Sequence, residues 1–342
     1  MKLFDLQPKY SRKDLFDRTR ELSELHRAID RGYPIVALLG IKRIGKTSVL
    51  KTFLNEVYGI YVDLRGVVRR ADLEVKVTDS ISSSLRKVRK FVEGIRGVSV
   101  AGFSVEIKWR GSDSVSLAGL LSEINKKKKR FVVALDEVQS VKPPLSAELR
   151  NLLAYGYDNL ENISFIVAGS EIGMLRDFLG CENPGSPLYG RYIYEIHIDR
   201  FSEKESREFL ERGFREEGVE PPAEVIDQAV EFFDGIVGWL VFFGRKYVDG
   251  YRDIETLKNI AVELAREELT KLNYRERAVL KAIASGHRTW SSVRKHVTEN
   301  YGVTIPKATL TRIVTKLERL SIVKNYEFQD PVYREASKKL RP

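Results

Sequence analysis

Eight consecutive residues, Gly40, Ile41, Lys42, Arg43, Ile44, Gly45, Lys46 and Thr47, constrain this chain more than any other stretch of it. Their spacing is G-x-x-x-x-G-K-T, and the flanking sequence fits what that spacing needs. Tyr33–Leu39 upstream is a short apolar run of the kind that makes a strand buried on both faces. Thr47–Val57 downstream has helical periodicity, and Gly59–Leu64 returns to strand. Strand, glycine loop, helix and strand form a unit with the loop at the carboxyl end of the first strand. Such a loop turns several backbone N–H groups toward one point, and glycine lets it wrap a ligand closely. The helix that follows adds the positive end of its dipole. The ligand this suits is a polyphosphate. Lys46 is expected to reach the β- and γ-phosphates and the Thr47 hydroxyl to hold magnesium. The expected cofactors are therefore ATP or ADP with Mg2+, bound by Gly40 through Thr47 and by Ser48.

Further strand ends supply chemistry of their own. Phe131–Leu135 is a buried run that ends in Asp136 and Glu137, and Ile163–Ala168 ends at Gly169 and Ser170. A carboxylate at Asp136 suits magnesium, directly or through water, and Glu137 is placed to polarise an attacking water. The competing account of the pair is a solvated strand end. Ser170 either hydrogen-bonds the γ-phosphate or its water, or caps the next helix. Arg191 either stabilises charge at the γ-phosphate or sits in a surface ion pair. Ligands bind beyond the carboxyl ends of parallel strands, so Gly40, Asp136 and Ser170 are expected to converge.

Alternating strands and helices make residues 1–200 an α/β core with a mainly parallel sheet. Phe16–Ile29 reads as an amphipathic helix, and residues 66–96 read as helical and basic. Val98–Trp109 reads as a hairpin or edge strand around Gly102. Residues 201–268 read as a helical lid without a strand. Lys126–Arg130 is a block of five cations best explained as a solvated helix end, where positive charge suits the dipole.

Net charge is +10, and it is not spread evenly. Residues 270–342 hold 16 Lys and Arg against 6 Asp and Glu, which leaves 42 of each sign in the rest. A basic module is thus joined to a neutral one, which marks an acidic polymer as a candidate partner. Within residues 269–342, Arg275–Ala284 and Trp290–Glu299 read as helices and Tyr301–Thr304 as a turn. Pro306 opens a third helix to Leu320. Ile322–Phe328 with Val332-Tyr333 reads as a hairpin. Three helices and a hairpin describe a winged helix-turn-helix. Its third helix would offer Lys307, Thr309, Arg312 and Lys316 to double-stranded DNA; the alternative use of such a fold is contact with protein.

The lone Cys181 permits no internal disulfide, which fits a reducing compartment. No run is long and apolar enough to cross a bilayer, and a cytoplasmic location is expected, with no membrane partner.

Taken together these motifs resemble the archaeal ATPase family of P-loop proteins, near the STAND and AAA+ branches. Leu15-Phe16-Asp17-Arg18 with Glu21-Leu22 looks like its opening element, which implies that Phe16 and Arg18 lie against the nucleotide base. The loop, Leu135-Asp136-Glu137, Gly169-Ser170 and Pro187–Arg191 follow in family order. Gly235–Leu240 resembles a glycine-proline motif of the lid, with Val237 where relatives have proline. Asp330–Arg334 is similar to the family's winged-helix ending. The resemblance implies an ATP-driven switch that hydrolyses ATP slowly. Glu137, Lys46, Arg191 and Ser170 would be its catalytic set, with Arg191 acting in its own subunit or across to a neighbour in a nucleotide-dependent oligomer. The alternative is a signalling or defence protein with little turnover, whose winged helix holds a protein partner. A kinase using the same loop lacks any sign of a second substrate pocket.

Overall fold

The computed structural model describes every residue except Phe103, Val303 and Pro342. The turn expected at Tyr301–Thr304 therefore lies partly outside the described residues. In chain order the core runs α1 (Thr19–Asp30), β1 (Ile35–Leu39), α2 (Lys46–Glu56), β2 (Gly59–Asp63), α3 (Arg70–Ser82) and α4 (Arg86–Val92). The hairpin β3 (Val98–Ala101) and β4 (Ser104–Ile107) follows, then α5 (Leu117–Lys126), β5 (Phe131–Asp136) and α6 (Leu145–Asn159). The core closes with β6 (Ile163–Gly169), α7 (Ile172–Leu179) and β7 (Tyr194–His197).

Five strands pair in the order β2–β5–β6–β1–β7, and every pairing is parallel. The three central strands are buried at every residue, as runs without polar alternation require. On one face Ile35, Ala37 and Leu39 pack with residues of α3, α5 and α6; on the other Val36 and Leu38 pack with Leu22, Leu25, Val49 and Phe53. The α/β class with a parallel sheet is thus as the apolar runs predict. The edge strand β7 was not foreseen: its sequence, Tyr-Glu-Ile-His, carries only one fully buried residue.

The helical part consists of α8 (Glu203–Glu217), α9 (Ala223–Phe233), α10 (Val237–Val248) and α11 (Ile254–Leu269). Ser202 and Glu205 cap α8 reciprocally, which fixes where the helices begin. The C-terminal part has α12 (Tyr274–Ala284), α13 (Trp290–Tyr301), α14 (Lys307–Arg319), the hairpin β8 (Val323–Lys324) and β9 (Glu327–Phe328), and α15 (Pro331–Lys338). Phe209, Leu257, Ala261, Ala265, Val279, Leu310 and Val332 belong to one continuous core. Residue 268, where the sequence suggests a boundary, lies near the end of α11 and inside this shared interior.

Two segments differ from what their sequence predicts. Val332 and Tyr333 are helical rather than part of the hairpin. Asp330 accepts from Val332 N at 2.8 Å and Pro331 occupies the first turn, so the chain starts α15 where strand propensity alone suggested a strand. Phe16 lies before its helix, because Asp17 and Arg18 both take positive φ and turn the chain ahead of Thr19.

Candidate nucleotide site

The glycine loop joins β1 to α2 at the carboxyl end of the sheet. Gly45 is the residue before α2 and has φ of 99°, a conformation that a side chain would strain. Lys46 is only 6% exposed, and its Nζ donates to Gly40 O at 2.7 Å and Ile41 O at 2.8 Å. Burial pushes its pKa down to about 8, against the pull of Glu137 and Asp136. A buried ammonium held by loop carbonyls is a group that a phosphate oxygen would serve better.

Asp136 ends β5, next to β2. Its Oδ2 accepts from Thr47 Oγ1 at 2.9 Å and from the Tyr61 hydroxyl at 2.8 Å. Thr47 and Asp136, the expected magnesium ligands, are therefore already in contact, and an oxygen-donor pair of this kind suits Mg2+. Tyr61 comes from β2 and was not singled out in the sequence. Alternation along an edge strand places it on the side that faces Asp136, but nothing in the sequence identifies that strand as β5's neighbour. Burial, with Asp136 beside it, keeps the Tyr61 hydroxyl protonated.

Glu137 follows immediately, with φ of 56°. Its Oε2 accepts from Gln139 Nε2 at 2.5 Å and from Ser170 Oγ at 3.0 Å. Ser170 directly follows β6 and does not cap α7 through its side chain; Glu171 is the residue at that cap position. Glu137 and Ser170 thus stand together beside Lys46 and Thr47.

Gly45, Lys46, Thr47, Glu137, Gln139 and Ser170 line one cavity of about 1200 Å³, and Asp136 reaches it only through its contact with Thr47. Lys42, Arg43, Ile44, Ser48, Phe16 and Arg18 also line it. Phe16 packs edge-on to Phe201 and Phe209, each at 5.4 Å between ring centres. Arg18 is buried, lies 4.4 Å over the Phe201 ring, and donates to Glu21 and to Ile44 O. It braces the loop as well as facing the cavity. Ser48 Oγ accepts from Lys9 N at 3.1 Å. Arg65, Lys142 and Lys271 line the cavity too, and add cations that no motif marked.

Arg191 is elsewhere. It precedes β7, at the amino end of the sheet, whereas the cavity lies at the carboxyl end. Its Nη2 is 2.6 Å from Asp158 Oδ2, and its guanidinium sits 5.6 Å from the Tyr157 ring centre. In this conformation it cannot serve the phosphates of its own chain, because a whole strand length separates them.

The far wall of the cavity comes from the C-terminal part. Leu320, Ile322 and Tyr333 of that part line it, beside Glu268 and Leu269 at the end of α11 and Leu272 just beyond it. Glu268 Oε2 is 3.3 Å from Lys42 Nζ, Glu268 Oε1 pairs with Arg43, and the Tyr333 hydroxyl donates to Glu268 at 2.5 Å. Arg43 lies 4.0 Å over the Trp239 ring, and Trp239 Nε1 donates to Asp330 at 2.9 Å. Gly238 N donates to Arg43 O at 2.8 Å, an approach that a Cβ at Gly238 would block. Val237, which stands where proline was expected, packs on Gly45.

Of the residues expected to meet DNA, Lys307 and Arg312 are exposed and Thr309 is half-buried on α14. Lys316 is tied to Glu276 at 2.7 Å. Among the described residues no helix is long and apolar enough to cross a membrane.

The loop, the acidic end of β5 and Ser170 after β6 gather at one cavity and define a P-loop nucleotide-binding protein with an appended winged helix. The comparisons with known proteins agree. Residues 15–243 match the ATPase domain found predominantly in Archaea, and residues 273–336 match the C-terminal winged helix-turn-helix domain of MCM proteins. The chain belongs to the archaeal ATPase family. It is 34% identical to the Walker-type ATPase of Pyrococcus abyssi over 98% of this chain and 99% of that one, with a TM-score of 0.83. The fold is also shared with the ORC2 protein of Aeropyrum pernix, at 15% identity, 98% and 96% coverage and a TM-score of 0.61. Cdc6p of Pyrobaculum aerophilum shares it at 16% identity, 91% and 88% coverage and a TM-score of 0.51. No curated protein matches the chain.

Proposed function

We propose that this chain is an ATP-driven switch in which Mg2+-ATP, and its hydrolysis, sets the position of a DNA-binding winged helix. The observation that carries the reading is the shared wall of the cavity. Lys42 and Arg43 of the phosphate loop grip Glu268, and Tyr333 of α15 grips the same carboxylate. A phosphate arriving at the loop competes with Glu268 for those cations, so the charge on the nucleotide is felt by the winged helix. Ser321 gives a second link: its hydroxyl accepts from Ile172 N at 2.8 Å, two residues past Ser170.

In the chemistry proposed, Thr47 and Asp136 hold magnesium, which supplies charge neutralisation at the phosphates. Glu137 orients and deprotonates the attacking water, with Ser170 and Gln139 fixing its carboxylate. Lys46 stabilises charge at the γ-phosphate. Arg191 enters only across a subunit interface, at a neighbour's nucleotide. The DNA surface is the exposed start of α14, with Lys307, Thr309 and Arg312; Lys316 joins it once released from Glu276.

The test is duplex DNA binding by the full chain across a salt series, with and without ATP. Affinity is expected to fall steeply as salt rises, and to differ between the nucleotide-bound and nucleotide-free protein. Absence of binding at low salt would overturn the DNA reading and leave the winged helix to a protein partner. Equal binding in both nucleotide states would overturn the switch.

A further inference from the structure

Residues 2–10 cross the mouth of the cavity as a strap fastened at both ends. At one end Phe4 is fully buried in the helical part, with its ring 4.9 Å from Phe214 and 5.9 Å from Phe209. Its seat exists because two side chains are missing. A Cβ on Gly213 or on Gly244 would come within 2.4 Å of the Phe4 ring. Lys2 pairs with Glu217 at 2.7 Å, and Leu3 N donates to Glu216 at 2.8 Å. At the other end Lys9 N donates to Ser48 Oγ at 3.1 Å, and Asn55 of α2 donates to Tyr10 O. The strap therefore ties the helical part to the very helix that the phosphate loop opens.

Between the fastenings, Asp5, Leu6, Gln7 and Pro8 line the cavity. Leu6 is 76% exposed, so nothing in the nucleotide-free protein covers it. On the same cavity Phe16, Phe209 and Phe242 make an apolar side, while Lys46, Thr47 and Glu137 make the ionic side. A nucleotide has that same division, a flat apolar base at one end and phosphates at the other. With its phosphates at Lys46, its base would reach the apolar side, and Leu6 lines the same cavity as Phe16, Phe209 and Phe242. The family match begins at residue 15, after the strap.

We propose that residues 5–8 form the outer wall of the base-binding half of the nucleotide site, and that release of nucleotide requires this strap to lift. The proposal rests on the nucleotide reading above. It adds binding residues to that site and assigns the purine base of ATP or ADP as what Leu6 covers. Release is then governed by how firmly Phe4 holds in its seat between Gly213 and Gly244.

Two variants test it with the full chain and a mant-labelled ADP. In Phe4→Ala the strap loses its anchor, and release of mant-ADP into excess ADP is expected to be at least about tenfold faster. Leu6→Trp puts a donor on the wall, and its energy transfer to bound mant is expected to exceed that of the parent protein. Transfer no greater than the parent's overturns the wall. A parent-like release rate from folded Phe4→Ala overturns the gate. Should Phe4→Ala not fold, Leu6→Gly changes an exposed side chain and reads the same rate, again with parent-like release as the overturning result. If the parent itself binds no mant-ADP, the nucleotide reading fails and the proposal with it, a result distinct from binding with unaltered release.

Discussion

Lys46 carries the clearest consequence of a single residue's environment. Its ammonium is buried and its pKa is depressed to about 8 in the nucleotide-free protein. Phosphates favour the charged form, so binding must raise that pKa and take up a proton when the pH is above about 8. Affinity for ATP should be flat below that pH and fall above it, by at most about tenfold per unit for one proton. Calorimetry at pH 7 and 9 in buffers of different ionisation enthalpy checks both the affinity and the proton count; an uptake of zero at pH 9 would refute the assignment. Lys46→Ala should abolish binding. Glu137→Gln should leave binding intact and stop hydrolysis, so that ATP rather than ADP is recovered from the protein after incubation. Hydrolysis at the parent's rate would remove Glu137 from the role of base. Tyr61→Phe is a subtler case. It deletes the hydrogen bond that orients Asp136, and should weaken magnesium-dependent ATP binding about tenfold or more, as partners of metal ligands do. Binding measured in EDTA should not change.

At the scale of elements, the fold was legible where one residue pattern has one solution. Three apolar runs ending in Gly40, Asp136-Glu137 and Gly169-Ser170 imply buried parallel strands whose ends meet, and β1, β5 and β6 lie side by side. What was not legible depends on partners that only packing supplies. The edge strand β7 exists because β1 offers it a ladder, although its own residues alternate poorly. Arg191 follows a motif in the right order, but a loop at the amino end of β7 puts it a strand's length from the cavity. Val332 and Tyr333 favour strand locally, and the cap at Asp330 overrules them. The strap was invisible for the same reason: Phe4 gains meaning only from glycines more than 200 residues later. One contact between elements makes a direct prediction. Gly173 of α7 lies so close to α14 that a Cβ would come within 2.5 Å of Arg319 Cα, beside the Arg319–Asp177 pair at 2.8 Å. Gly173→Ala should push α14 off α7 while sparing the sheet, since α7 packs inward through Leu175, Phe178 and Leu179 instead. Limited proteolysis near residues 270–273 should become faster, and, on the proposed DNA role of α14, duplex DNA binding should become tighter. An unchanged cleavage pattern would show that α14 gives way in place.

For the whole molecule the question is how a charge at the loop would reach α15 in the proposed switch, and Glu268 is the residue that touches both. Burial alone would raise its pKa, but the Tyr333 hydrogen bond and Arg43 more than offset that and keep it ionised. It therefore acts as a fixed anion that neutralises Arg43 and Lys42 from the winged-helix side. Glu268→Gln retains the shape and removes the charge. Two effects of opposite sign follow. The protein loses a charge-assisted contact to a partly buried arginine, which costs roughly 1–3 kcal/mol of stability. The loop, in turn, gains net positive potential, so ATP should bind several-fold more tightly, with the gain shrinking as salt rises. A purely structural role for Glu268 predicts the first effect without the second. The coupling can be read separately, by energy transfer between a label on α5 and one on α13 in the two proteins. In the parent, ATP should change that distance as the nucleotide takes Lys42 and Arg43 from Glu268. In Glu268→Gln the nucleotide-free protein should already show the altered distance, and ATP should add little to it. If instead both proteins respond equally to ATP, the signal does not run through Glu268, and the contact from Ile172 to Ser321 is left as the path between the site and the winged helix.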